Sequence, residues 1–303
     1  MPNSTLVGII LLNWNDVANT TACLRSLQAL SATVPHRIYV VDNASQRESP
    51  APIRDGFPEI TFIQRSTNDG YAAGNNDGMR QAFADGCSHA LLLNNDTEVE
   101  PTLLDALVDC YALSPDIGLV VPLIVDHETP DRVQYAGGDL ILWRALSRHR
   151  GYGQPVPQVS LAPAEVSFCT GTALCIHRDL YQAIGGLEES YFLYHEDSDY
   201  SIRAARAGFT LYYTGATKIL HKTSAASGGY MNANSFYYSI RNGIHLIRRF
   251  GSTWDRSRYC LFTLFYFCPG VIAYSILKGR LDLLRAYTDG ITDGIRHRTG
   301  PRS

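Results

Sequence analysis

The segment Tyr191-Phe-Leu-Tyr-His-Glu-Asp-Ser-Asp-Tyr200 sets three carboxylates, Glu196, Asp197 and Asp199, behind an aromatic run. Burial and like charge raise a carboxylate's pKa, and such a group can take a proton from a hydroxyl as a general base. The competing role is the acidic first turn of a helix, favoured by the helix dipole, and it suits Asp199 best. A further carboxylate, Asp96, ends the run Leu91-Leu-Leu-Asn-Asn. At a strand end it can hold a hard divalent cation and so neutralise a diphosphate, or it can cap the next turn. His221 follows Lys218-Ile-Leu. It would be a second metal ligand if its strand returned to Asp96; otherwise it is a packed or surface histidine. Asn68-Asp-Gly-Tyr-Ala-Ala-Gly-Asn-Asn76 opens a helix with two glycines, which lets backbone approach a phosphate or ribose. It is neither G-x-G-x-x-G nor a Walker loop, so nicotinamide and P-loop chemistry are disfavoured.

These groups need elements to position them. Over the first 125 residues, short apolar runs alternate with segments of helical period. Strands are expected at 6–12, 37–41, 60–63, 90–93 and 118–122, and helices from Thr20, from Asn76 to Ala84 and from Pro101. This rhythm implies βαβ units and a mostly parallel sheet. Asn13, Asn15, Asp42, Asn43, Asn68, Asn94, Asn95 and Asp96 all fall just past an apolar run, where open parallel sheets bind ligands. Residues 126–165 are broken by Pro and Gly and predict loops and a hairpin. Helices follow at 178–184, closed by Gly185-Gly186, and at 199–207, with an Asp199/Arg203 pair one turn apart.

The chain has 303 residues, 45% apolar and 18% charged, with a net charge of −3. That excludes global disorder and a polycation built for nucleic acid. The charge is uneven: residues 241–303 hold 11 Lys+Arg against 4 Asp+Glu, and the first 240 hold 15 against 25. Residues 259–277 contain no charge and are flanked by Arg256, Arg258, Lys278 and Arg280. Length, aromatics and flanking cations suit membrane association, and Pro269-Gly270 predicts a bent or re-entrant segment. A buried helical hairpin or a dimer interface is the competing structure. Seven cysteines with no C-x-x-C pair read as reduced core residues of a cytoplasmic protein, and no signal peptide is evident. We expect a catalytic domain over 1–240, with a nucleotide-sugar half to about 125 and an acceptor half beyond it. A helical, basic and aromatic extension is expected over 241–303.

Taken in order, the motifs Ile-Leu-Leu-Asn-Trp14-Asn, Val-Val-Asp42-Asn-Ala-Ser, Asn68-x-Gly-Tyr-Ala-Ala-Gly-Asn-Asn, Leu-Leu-Leu-Asn-Asn-Asp96, Thr170-Gly-Thr-Ala-Leu, Gly-Gly-Leu-x-Glu-x-Tyr-Phe, His-Glu-Asp197-Ser-Asp and Ile-Leu-His221-Lys resemble an inverting family 2 glycosyltransferase close to bacterial rhamnosyltransferases. The resemblance covers roughly residues 4–245. It implies the GT-A fold, a Rossmann-like α/β architecture. Asp42 would meet the nucleotide base with Trp14 as a stacking surface. Asn68, Gly70, Asn75 and Asn95 would line the nucleotide and ribose, and Gly171 and Thr172 the donor-sugar side. Asp96 and His221 would hold Mg²⁺ or Mn²⁺ on the donor diphosphate. Asp197, in its pair with Glu196, would be the catalytic base. The family commonly has Asp-x-Asp where this chain has Asn94-Asn95-Asp96, so metal affinity should be weaker. The implied donor is dTDP-rhamnose, with UDP-galactofuranose, other UDP-sugars and GDP-mannose as alternatives. The implied acceptor is a polysaccharide or polyprenyl-linked glycan at the inner face of the plasma membrane. A sugar nucleotidyltransferase would want a Gly- and Lys/Arg-rich triphosphate loop, which the first strand lacks. An inactive nucleotide- or carbohydrate-binding subunit is the non-enzyme alternative.

Overall fold

The computed structural model describes residues 5–222 and 232–302. In chain order the elements are β1 (Val7–Asn13), α1 (Val17–Gln28), β2 (His36–Asp42), α2 (Ala51–Gly56), β3 (Thr61–Gln64), α3 (Tyr71–Ala84), β4 (His89–Asn94), β5 (Thr97–Val99), α4 (Leu103–Tyr111), β6 (Ile117–Asp126), β7 (Val133–Tyr135), β8 (Gly138–Ile141), β9 (Leu146–His149), β10 (Ala164–Glu165), β11 (Ala173–His177), α5 (Arg178–Ile184), α6 (Glu196–Arg206), β12 (Thr210–His221), α7 (Ala233–Phe250), α8 (Thr253–Phe262), α9 (Cys268–Leu277) and α10 (Leu281–Ile295).

β1 is buried over nearly its whole length, as expected of a strand covered on both faces. It pairs in parallel with β2 and β4, and β2 with β3. The register sets Asn13 beside Asp42 and Leu12 beside Asn94, so the polar strand ends meet at one edge. Gly74 and Gly78 bring α3 hard against β1, where added methyls would collide with Leu12 and Ile10. The parallel order does not extend across the sheet. β11 lies between β4 and β6 and is antiparallel to both. A chain that leaves β6 and returns without a crossover helix re-enters antiparallel. β12 then pairs in parallel with β6 and antiparallel with β5, a short strand the sequence pattern does not reveal.

Other boundaries move for local reasons. α1 is capped by Asp16 rather than Thr20, whose buried hydroxyl instead donates to Asn13 Oδ1 at 2.8 Å. α3 begins at Tyr71, and α6 takes in Glu196 and Asp197 as well as Asp199. Residues 253–277 are one continuous helical run. A π turn at Thr263–Phe267, with Cys268 N–H donating to the Thr263 carbonyl, widens the helix just before Pro269, where a proline ring needs room. This run is long and apolar enough to cross a membrane and almost none of it is buried, which removes the buried-hairpin alternative within this chain. Five cysteines are buried and none of those described is bonded to another.

The expected boundary at 240 falls inside α7, and the next two residues tie that helix to the loop before α6. Asn242 is fully buried and its amide donates to the carbonyls of Tyr191, Leu193 and Tyr194 at 2.7–2.9 Å. Arg241, also fully buried, donates to the Tyr191 carbonyl at 2.8 Å, to Asn242 Oδ1 at 2.9 Å and to the Gly300 carbonyl at 2.6 Å. The loop they hold is strained: Phe192, Tyr194 and His195 have φ of 65°, 67° and 72°. Phe192 sits at a γ-turn that Leu193 N–H closes onto the Tyr191 carbonyl. Asn242→Ala removes the side-chain donor of the Leu193 and Tyr194 carbonyls, while Tyr191 keeps Arg241, and we expect a loss of about 1–3 kcal/mol in urea denaturation. Hydrogen exchange should locate it, with the Leu193 amide protected in the wild type and released in the variant. Unchanged protection there would show that the loop holds its shape without the clamp.

Candidate active site

Three strand ends and a helix start form one side of the site. Asn43, past β2, donates to Asn68 Oδ1 at 2.9 Å and to the Gly70 carbonyl at 3.2 Å. Gly70 has φ +100°, and a Cβ there would run into the Phe192 backbone. Only glycine fits this junction, where Tyr71 N–H also donates to the Phe192 carbonyl at 2.7 Å. Trp14 stands 45% exposed at the rim with Arg47 5.8 Å from its ring. Asp42 is fully buried, its carboxylate taken up by Asn13 Nδ2, Gln64 Nε2 and both donors of Ser45. Asn75 is buried as well and donates to the Tyr71 carbonyl. Trp14, Asn68, Gly70, Asn95, Gly171 and Thr172 line one groove of about 1970 Å³ together with Asp96, Glu196, Asp197 and His221. Asp42 and Asn75 sit behind its wall.

The pairing of β5 with β12 places His221 opposite Thr97, which brings its ring to Asp96. Nε2 lies 3.4 Å from Asp96 Oδ1. Gln134 orients that ring. Its Nε2 donates to Asp126 Oδ2 and to the His221 carbonyl, so its Oε1 is turned to His221 Nδ1 at 2.7 Å. The carbonyl oxygen accepts, so Nδ1 carries the proton and Nε2 offers its lone pair towards Asp96. Asp96 Oδ1 is buried without a hydrogen bond. An orphaned carboxylate oxygen facing a free imidazole nitrogen fits a divalent cation. No cluster of three or more His, Cys, Asp or Glu side chains forms among the described residues, so two protein ligands would leave the other positions to a bound molecule's oxygens.

Glu196 and Asp197 open α6 directly after the clamped loop. Asp197 Oδ2 accepts from Gly171 N–H at 3.1 Å and Oδ1 from Ser198 N–H at 2.7 Å. Burial raises the Asp197 carboxyl above the usual carboxylate range against these two backbone donors. Glu196 is raised by burial and then by the charge of Asp197, and its Oε2 has no hydrogen-bond partner. Asp199 serves structure instead. It is fully buried and bound by Arg203 at 2.6 Å, Arg249 at 3.0 Å and the Tyr191 hydroxyl at 3.2 Å.

The sequence reading missed several residues that shape this groove. Tyr71, inside the glycine-bearing motif, donates its hydroxyl to the Gly171 carbonyl at 2.8 Å. Asn43 adjoins Asp42 and was marked only as a polar strand end. Gln134 lies in the irregular stretch and Arg241 and Asn242 in the presumed extension, where no local pattern signals a role.

A family model described as "Glycosyl transferase family 2" matches residues 9–185. An uncharacterized Mycobacterium tuberculosis protein is 35% identical over 181 residues, 55% of this chain, and the chain spans only 60% of that relative's length. The N-acetylglucosaminyl-diphospho-decaprenol L-rhamnosyltransferase of M. tuberculosis is 25% identical over 74% of this chain and 78% of its own. The dTDP-rhamnosyl transferase RfbF of Shigella flexneri is 20% identical over 98% of both. Among solved structures, the mannosyltransferase PcManGT of Pyrobaculum calidifontis, in complex with GDP-Man and Mn²⁺, superposes with a TM-score of 0.58 at 13% identity, covering 95% of this chain and 86% of that one. The model spans more than half of the chain and the GT-A sheet is common to both structures, so this chain belongs to glycosyl transferase family 2.

Proposed function

We propose that the chain is an inverting glycosyltransferase. It moves a sugar, with L-rhamnose from dTDP-rhamnose the preferred candidate, from a nucleotide diphosphate to a lipid-linked glycan at the cytoplasmic face of the membrane. The observation that carries this reading is one groove holding both a base-competent carboxylate pair and an orphaned carboxylate–imidazole pair. The rhamnosyltransferase relatives support the donor sugar, and the name of one supports a polyprenyl-diphosphate acceptor. The exposed apolar helix flanked by arginine and lysine supports the membrane surface.

The residues divide the work by chemistry. Asn68, Gly70 and Asn95 receive the nucleotide, with Trp14 offering a ring for the base. Asp96 and His221 would hold Mg²⁺ or Mn²⁺, which when bound would offset the charge that builds on the leaving diphosphate. Gly171 and Ser198 N–H groups hold both oxygens of Asp197 in place. Asp197 takes the acceptor hydroxyl's proton as that oxygen attacks the anomeric carbon, opposite the departing diphosphate, so one displacement inverts the centre. The raised pKa brings the base nearer the pKa of its task.

Three outcomes follow. Asp197→Asn should bind the nucleotide sugar normally and lose roughly 10²–10⁴-fold in turnover, measured by nucleotide release; near-normal turnover would exclude it as the base. The base works deprotonated and burial raises its pKa, so kcat/KM should fall on acidification at a pH above the ordinary carboxylate range. Burial and the Asp197 charge push the Glu196 carboxyl up to about 8, so it is uncharged where Asp197 titrates, and Glu196→Gln should leave that limb in place; a limb that moves with the substitution would mean that Glu196 is the group that titrates. In thermal melts, dTDP-rhamnose at 100 times its dissociation constant should add about 2.7 kcal/mol. Mn²⁺ should increase the shift, and Asp96→Ala should remove only the Mn²⁺-dependent part. A shift from dTDP-rhamnose that Mn²⁺ leaves unchanged would dissociate Asp96 and His221 from metal.

A further inference from the structure

Arg144 lines the same groove, in the short turn between β8 and β9. Its guanidinium lies 4.6 Å from the ring centre of Phe262 and 5.5 Å from that of Trp143. Its Nε is buried with no hydrogen-bond partner. Arg258 lies 4.2 Å from the centre of the same Trp143 ring. Among the described residues neither arginine donates a hydrogen bond or forms an ion pair. Two guanidinium groups share one indole and neither is bonded to a carboxylate, although Asp255, three residues before Arg258, feels the charge of that arginine; arginine's planar fork matches phosphate oxygens.

The cluster also has a direction. Ala145, next to Arg144, converges with His195 at Gly243: a Cβ built there would lie 3.3 Å from Ala145 Cβ and 3.8 Å from His195 Nε2. His195 immediately precedes Glu196 and Asp197. On the other side Phe262 stacks on Tyr266 at 5.3 Å, and the helix continues into exposed Leu264, Phe265, Ile276 and Leu277. A hydrophilic reaction centre, a pair of arginines bonded to no carboxylate and an exposed apolar helix therefore follow one another along one path.

We propose that Arg144 and Arg258 bind the diphosphate of the lipid-linked acceptor. The hydrocarbon chain runs along the helix of residues 253–277, and the sugar on the diphosphate points to Asp197. This rests on the lipid-linked acceptor of the preceding reading and adds the residues that recognise it. The order of the three surfaces matches the order of the three parts of such a molecule, whereas a free phospholipid headgroup would have no use for the side that opens to Asp197.

Calorimetry on the full chain in neutral detergent, with farnesyl diphosphate, farnesol, inorganic pyrophosphate, dTDP-rhamnose and phosphatidylglycerol vesicles, tests it. Farnesyl diphosphate should bind about tenfold or more tighter than either farnesol or pyrophosphate. Arg144→Gln and Arg258→Gln should each weaken farnesyl diphosphate about tenfold, with farnesol, dTDP-rhamnose and vesicle binding unchanged. Arg144→Lys keeps the charge but not the fork and should fall between. Equal affinity for farnesyl diphosphate and farnesol would overturn the site. So would a matching loss of dTDP-rhamnose binding, which would place Arg144 on the donor, or a matching loss of vesicle binding, which would make it a headgroup contact. The acceptor reading fails separately, if the wild type glycosylates a water-soluble glycan as well as a polyprenyl-diphosphate-linked one. Normal use of the lipid-linked acceptor by Arg144→Gln would sink only the arginine assignment.

Discussion

The site depends on keeping the chain from Tyr191 to His195 in a conformation it would not adopt alone. Three non-glycine residues there have positive φ, each unfavourable by about 1–3 kcal/mol. Such strain persists only where surrounding contacts outweigh it. Here the contacts are the buried amide of Asn242 and guanidinium of Arg241, which donate to the carbonyls of Tyr191, Leu193 and Tyr194. Two consequences follow. Tyr71 N–H meets the Phe192 carbonyl, fixing the start of α3 beside Asn43 and Asn68, and α6 starts at Glu196 with its acidic pair turned into the groove. One clamp thereby sets both halves of the site.

That dependence explains why the C-terminal elements cannot be treated as an appendage. α7 carries the clamp and packs on α10, where Tyr237 donates to Asp293 Oδ2 at 2.7 Å and Gly290 and Gly294 give close approach. Arg241 also reaches the Gly300 carbonyl. The helices that present an apolar surface to solvent are therefore tied through a few hydrogen bonds to the loop that aims the candidate base. The exposed apolar helices and the groove share a mechanical support.

Charge is arranged with the same economy. Three acids occupy one helix turn, yet only Asp199 is neutralised by arginines, and it carries the structural load. Glu196 and Asp197 have no such partner: burial raises both, and the Asp197 charge raises Glu196 further. Asp96, preceded by two asparagines, faces His221, whose ring is oriented by Gln134.

Much of this was legible in the sequence because it is local. Strand ends show as polar residues after apolar runs, and β1 to β4 lie within a residue or two of their expected places. The ordered motifs carried the family and the identities of Asp96, Asp197 and His221. The structure brings these three into one groove. What the sequence could not show is what depends on pairing between distant segments. Periodicity is blind to strand direction, so the antiparallel insertion of β11 was invisible, and so was the strand β5 that delivers His221 to Asp96. Burial is likewise a tertiary property: Asp42 and Asn75 sit behind the groove wall because Gln64, Ser45 and the Tyr71 carbonyl engage them. The types of the candidate groups were written in the chain. Their orientation was decided by Gln134, Arg241 and Asn242, whose hydrogen bonds exist only once segments tens of residues apart have closed on one another.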